Sequence, residues 1–146
     1  MRTEECIFFQ LAKADQCGAQ YWQGKVAPLG LTAVQAMVLN TLSDGDGAPA
    51  GRLGERIQLT SATLTGIIDR LENLGFVERR ASMKDRRAVL VCLTGKGKEA
   101  VAEIKPLLAN ANQEFLAGLS PREQERLRGL LQKLRDSPRG KATLGA

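Results

Sequence analysis

The apolar positions of this 146-residue chain repeat mostly with the period of an α-helix, and in one stretch with that of a β-hairpin. Ile7, Leu11, Ala14, Gly18 and Tyr21 recur at helical spacing, and Phe8 and Trp22 widen the stripe. Residues from Glu4 to about Gly24 therefore read as a helix, which Pro28 and Gly30 break. A second helix starts at Thr32, where Gln35 completes a capping box, and its expected buried face is Val34, Met37, Val38 and Leu42. Ser43-Asp44-Gly45-Asp46-Gly47 contains no apolar residue and reads as a turn. Two short helices follow across a tight break: one from about Pro49 to Ile57, one from Thr60 or Ser61 to Asn73. In the latter, Leu64, Ile67, Ile68, Leu71 and Leu74 keep the i, i+3, i+4, i+7 rule and should face the core, with Gly75 as the stop. The opposite side carries Ala62, Thr65, Gly66 and Asp69, flanked by Ser61 and Arg70. That side is small and polar, so it can enter a groove closely.

The period then changes. Phe76 to Arg79 and Ala88 to Leu93 read as short strands joined by a polar tip, Ala81 to Arg87. A long helix runs from about Lys96 to Leu116 through Val101, Ile104, Leu107, Leu108 and Ala111, and Pro106 inside it should bend or split it. Ser120-Pro121-Arg122-Glu123 is a helix start with an N-cap, proline at the first position and an acid at the third. Leu127, Leu130, Leu131 and Leu134 line the helix that follows, and residues 137–146 read as a frayed tail.

Charge changes this picture most. Arg79, Arg80, Lys84, Arg86, Arg87, Lys96 and Lys98 stand against Asp85 alone, so this stretch carries +6 of a chain whose net charge is +5. The remainder is close to neutral. A cation cluster beside a helix-turn-helix-like pattern suits a phosphate-lined groove, because neutralising phosphates releases condensed counterions. Aromatic residues make up only 4%, too few for the stacking platforms of a single-strand binder.

Other classes are argued against by what is missing. The chain has no histidine, which removes His-based metal sites and Ser-His or Cys-His catalysis. It has no paired-carboxylate or glycine-loop signature, so neither an enzyme nor a cofactor is expected. Cys6, Cys17 and Cys92 are odd in number and lack CxxC spacing, which argues against a disulfide framework. No apolar run reaches the roughly 20 residues a bilayer requires, and the acids Glu4 and Glu5 sit where a signal peptide would be basic. A cytoplasmic protein with no membrane partner is the expectation.

Leu31-Thr32-Ala33-Val34-Gln35, the run Leu64 to Glu72 with Leu74-Gly75, and Asp85-Arg86-Arg87-Ala88-Val89 ending in Leu93-Thr94-Gly95-Lys96-Gly97 resemble the MarR family of bacterial transcriptional regulators. The D-x-R tip followed by a strand and L-T-x-x-G is the most specific part. The resemblance implies a mainly α (α+β) fold: a winged helix-turn-helix DNA-binding lobe over 32–95, and a helical dimerisation region over 1–30 and 96–136. It also implies a two-fold homodimer. Leucine and phenylalanine stripes on the first and last helices suit that role, since these helices cannot all pack on so small a core.

The candidate DNA contacts are Ser61, Ala62, Thr63, Thr65, Gly66 and Arg70 on the recognition helix and Lys84, Asp85, Arg86 and Arg87 on the wing. Hydroxyls at Ser61, Thr63 and Thr65 can bond phosphates or base edges, and Gly66 permits close approach. The resemblance makes Arg87 the wing anchor and Asp85 the residue that shapes the loop. Asp69 is expected to pair with an arginine or accept from a cytosine amine, and Arg79 and Arg80 to reach flanking phosphates or the recognition helix. A small-molecule effector pocket, also implied by the resemblance, would draw on Tyr21, Trp22 and Met37. Some MarR-like proteins sense peroxide through an N-terminal cysteine, which makes Cys6 a redox candidate, whereas Cys92 is expected to be buried packing. The favoured function is a ligand-responsive repressor acting as a homodimer on a pseudo-palindromic duplex. The alternatives are a thiol-based redox-sensing regulator and a winged-helix protein-interaction module.

Overall fold

The computed structural model describes residues 1–45 and 47–138; Asp46 of the expected turn cluster and the expected tail from Arg139 onward lie outside the described residues. The elements are α1 (Ile7–Val26), α2 (Ala33–Leu42), β1 (Ala48–Pro49), α3 (Ala50–Ile57), α4 (Ser61–Asn73), β2 (Val77–Ala81), β3 (Val89–Leu93), α5 (Gly95–Phe115) and α6 (Pro121–Asp136). The three strands form an antiparallel sheet in the order β1-β3-β2. The fold is mainly helical with a small winged sheet, as the periodicities imply.

Local chemistry sets most of the helix ends. Thr32 Oγ1 accepts from Gln35 N at 3.2 Å while Gln35 Oε1 accepts from Thr32 N at 2.9 Å, the reciprocal box that starts α2. Ser120 and Glu123 repeat the arrangement at α6. Gly75 adopts φ +80°, the left-handed geometry that ends α4 and lets Phe76 N reach back to Leu71 O at 2.9 Å. Helix α1 begins at Ile7, behind a single turn of 3-10 helix at Thr3–Glu5, and so starts later than the stripe alone suggests.

The Leu93-Thr94-x-x-Gly97 motif has a packing explanation. Thr94 caps α5 by accepting from Gly97 N at 3.1 Å, and its hydroxyl donates to Gly75 O at 2.6 Å. A Cβ placed on Gly97 would stand 2.0 Å from Phe76 O, which is backbone and cannot swing aside. Only glycine lets α5 lie this close to the start of the hairpin.

Three expectations need correction. Val34 and Met37 are exposed; the buried face of α2 is Gln35, Ala36, Val38, Leu39 and Leu42. Residues 33–39 of α2 are nearly all apolar, so periodicity cannot choose the face, and packing against α1, α3, β3 and α5 chooses it instead. Leu74 is likewise exposed, because α4 ends before it, whereas Leu64, Ile68 and Leu71 are buried and Ile67 packs at the core's edge. Finally, Pro106 does not split α5, which runs unbroken from Gly95 to Phe115. Pro106 and Ala102, whose carbonyl loses its partner, both lie on the exposed side, where water can satisfy the freed oxygen. Strand β1 was not legible at all: two residues, one of them proline, have no period.

The core joins the end of α1 to α2, α3, α4, the sheet and the first half of α5. Helix α6 contributes no buried residue and is tied to the rest where Gln124 Nε2 donates to Leu116 O at 3.1 Å and Leu119 O at 3.0 Å.

Candidate nucleic-acid interface

Helices α3 and α4 form a helix-turn-helix whose tightness comes from two residues. Gln58 takes a left-handed φ of 56°, which turns the chain sharply after α3. Gly54 leaves room for that turn, since a Cβ there would stand 3.2 Å from Leu59 O. Leu53 and Leu64 then pack α3 and α4 into the core at 2% exposure or less. Thr60 caps α4 by accepting from Thr63 N at 3.3 Å. Burying the stripe of Leu64, Ile68 and Leu71 puts Ser61, Ala62, Thr63, Thr65, Gly66, Asp69 and Arg70 on the exposed side.

Two of the three candidate hydroxyls are already engaged. Thr65 Oγ1 donates to Ser61 O at 2.8 Å, so toward a base edge it can only accept. Thr63 Oγ1 accepts from the Thr60 hydroxyl at 3.0 Å and keeps its own proton. A Cβ on Gly66 would meet nothing within 4 Å, so no contact inside the chain requires glycine there.

Strands β2 and β3 run in register from Val77–Leu93 to Ala81–Val89 and carry the wing at their far end. Its loop is held from within. Ser82 Oγ accepts from Lys84 N at 3.2 Å and Asp85 N at 3.3 Å, while Asp85 Oδ1 accepts from Arg87 N at 3.0 Å. Asp85 is therefore bonded to a backbone amide of the loop it was expected to shape. The side chains of Lys84, Arg86 and Arg87 are exposed, and no hydrogen bond or ion pair engages their charged ends among the described residues.

The other basic residues of the charged stretch are placed differently. Arg79 lies across to α4, bonding Asp69 at 2.6 Å and also Glu72. Hydrogen bonding to Asp69, then to Glu72, holds its guanidinium pKa above the ordinary value. Arg80 pairs with Glu78 on its own strand. Lys96 donates to Leu74 O at 2.7 Å and sits 4.4 Å over the Phe76 ring, where it serves the C-terminus of α4. Arg70 on the helix and the three cations at the wing tip therefore point outward with their charged ends unengaged among the described residues. Glu72 was missed as a site residue because nothing local links it to Arg79.

Two of the three candidate effector residues, Tyr21 and Trp22, have structural partners of their own. The Tyr21 hydroxyl donates to Glu114, which also binds Lys25, and the Tyr21 ring lies 5.3 Å from that of Phe115. Trp22 Nε1 donates to Ala33 O at 3.1 Å against the core, and Met37 is exposed. None of the three lines the cleft of about 450 Å³ bounded by Ser43, Gly47, Arg80, Cys92, Lys98 and Val101. Cys6 precedes α1 and is half-buried, Cys17 is exposed on α1, and Cys92 is buried as expected.

Comparison with known proteins decides the family. The MarR family profile matches residues 31–89, the helix-turn-helix and most of the hairpin. The transcriptional regulator HosA of Escherichia coli is 32% identical over 134 residues, which is 92% of this chain and 98% of that protein. The chain belongs to the MarR family. Two solved MarR-type structures extend the match to three dimensions. A structure of BpsR from Bordetella bronchiseptica, which concerns regulation of its DNA binding by 6-hydroxynicotinic acid, superposes with TM-score 0.87 at 29% identity, covering 94% of this chain and 98% of that one. A mutant MarR from E. coli in complex with operator DNA gives TM-score 0.79 at 28% identity, covering 86% and 90%. This chain is thus a MarR-type transcriptional regulator, a DNA-binding protein and not an enzyme. No helix among the described residues is long and apolar enough to cross a membrane.

Proposed function

We propose that this MarR-type regulator is a repressor that binds a pseudo-palindromic operator as a homodimer and is released by a small molecule. Each α4 enters a major groove with Ser61, Ala62, Thr63, Thr65 and Gly66 toward the bases and Arg70 toward the backbone. Each wing reaches the neighbouring minor groove, where Arg87 anchors it and Lys84 and Arg86 meet phosphates, on a loop that Asp85 shapes. The observation that carries this reading is the set of three exposed cations, their charged ends unengaged among the described residues, on a loop braced by Ser82 and Asp85.

Homodimerisation is supported by the apolar residues that the single chain leaves uncovered. Leu127, Leu130, Leu131 and Leu134 are 37–52% exposed on α6, and Ile7, Phe8 and Leu11 are exposed on α1. Release by a small molecule is supported by the likeness to BpsR, whose DNA binding 6-hydroxynicotinic acid regulates. An effector acting here would change the spacing of the two α4 helices, so that both no longer fit successive grooves. Tyr21, Trp22 and Met37 are the residues proposed to line its pocket, between the dimer helices and the DNA-binding lobe.

Selection from a random duplex pool tests the reading. The expected product is an inverted repeat whose half-sites lie about one helical turn, roughly 34 Å, apart. A pool that yields no enriched motif, or single half-sites only, overturns it.

A further inference from the structure

Helix α4 brings two carboxylates toward a polyanion. Asp69 follows Thr65 and Gly66 by one turn on the exposed side, and Glu72 follows Asp69 by another. Near phosphates such charges repel, by an amount that grows as water is excluded from the interface. Yet both carboxylates converge on one guanidinium from a different element: Arg79 of β2 bonds Asp69 through one terminal nitrogen and Glu72 through the other. The Arg79 side chain is only about one-third exposed, and each of its two terminal nitrogens bonds a carboxylate of α4. Arginine suits the position because its planar fork can serve two acceptors at once, which a lysine cannot do with the same geometry.

We infer that Arg79, although it lies in the basic stretch, does not contact DNA but is the internal counter-charge of the recognition helix, masking Asp69 and Glu72 so that α4 can approach phosphates. It is a positioning residue. Three roles for it are separable: direct phosphate contact, mechanical tether between α4 and β2, and charge mask. The first would leave two carboxylates uncompensated whenever Arg79 turned to the DNA. The second would need only one bond, whereas two carboxylates and one cation are gathered here.

The inference rests on the reading of the protein as a duplex-binding regulator, and the test separates the two. Wild type, Arg79→Met, Asp69→Asn/Glu72→Gln and the triple variant are titrated by fluorescence anisotropy against a labelled duplex selected by the wild type, over a salt series. Thermal melts check folding. Wild type that binds no duplex at any salt would sink the DNA-binding reading, and the mask with it. Given wild-type binding, Arg79→Met should bind about tenfold or more weakly. The triple variant should return to within about threefold of wild type with an unchanged salt slope, because Arg79 displaced no counterion. Asp69→Asn/Glu72→Gln with Arg79 intact should bind at least as tightly as wild type, which reads the mask even if Arg79→Met folds poorly. A triple variant that stays weak with a slope lower by about one unit makes Arg79 a phosphate contact and overturns the inference. A triple variant that stays weak with the wild-type slope, or a weakened Asp69→Asn/Glu72→Gln protein, makes it a tether and also overturns the inference.

Discussion

The winged helix-turn-helix and the terminal helices solve the same problem, burying an apolar stripe, in opposite ways. In α3 and α4 the stripe finds its partners within the chain: Leu53, Leu64, Ile68 and Leu71 are 2% exposed or less. In α6 the leucine stripe is just as regular, yet no residue of the helix is buried. Where the far end of α5 meets α1, Glu114 takes both the Tyr21 hydroxyl and Lys25, beside the Tyr21–Phe115 ring pair. Two stripes of equal quality thus have unequal fates, which is what is expected if one region is complete in a single chain and the other needs a second copy.

The largest expected effect comes from placing charge on the uncovered stripe. Leu130→Lys with Leu134→Lys should turn the proposed dimer into a species of 15.8 kDa in sedimentation at micromolar concentration while the helix-turn-helix stays folded. A wild type that already sediments as a monomer removes the contrast. Next is the covered stripe. Ile68→Ala should cost about 2–5 kcal/mol in urea unfolding, the usual toll of a cavity in a well-packed core. Gly97→Ala should follow at about 1–3 kcal/mol, because overpacking against the Phe76 carbonyl has to be relieved by moving backbone. A Gly97→Ala protein as stable as wild type would show that α5 and the hairpin are not pressed together.

Function sharpens the comparison further. Arg87→Ala should weaken operator binding by about 1–3 kcal/mol, and Lys84→Ala should lower the salt slope by about one unit, with melting temperatures unchanged. Operator affinity equal to wild type for Arg87→Ala would remove the wing as anchor. The smallest effect belongs to the polar strut. Hydrogen bonds first from Lys25, then from Tyr21, lower the Glu114 carboxyl pKa below its ordinary 4.5. A depressed carboxyl pKa contributes stability above the ordinary value that is lost as pH falls through the folded one. Lys25 is raised, by Glu114 first, so its share persists through neutral pH and fades only above its ordinary 10.5. Glu114→Gln should therefore lower the melting temperature slightly at pH 7, and the gap should close as the pH drops below about 4. A gap that does not change with pH would show that the pair contributes nothing to joining α1 and α5.

The amino-acid sequence by itself determined what depends on near neighbours. The capping boxes at Thr32 and Ser120, the left-handed stop at Gly75, the buried stripe of α4 and the braced basic wing each rest on residues within a few positions of one another. Four matters were left to the tertiary structure, because their partners are far apart in the chain or carry no periodicity of their own. The buried face of α2 was decided by the elements around a helix that is apolar nearly all round. Strand β1 exists only because β3 offers it an edge. Pro106 is tolerated because it faces outward. The division of the basic stretch was legible only in part: an arginine partner for Asp69 was expected, and Arg79 had the recognition helix as one of its two expected destinations. A run of arginines and lysines announces a polyanion partner, but only folding shows that Arg79 is committed to Asp69 and Glu72, Arg80 to Glu78 and Lys96 to Leu74. Net charge can be read from a string of letters; which cation neutralises which anion depends on distances that exist only once β2 lies against α4.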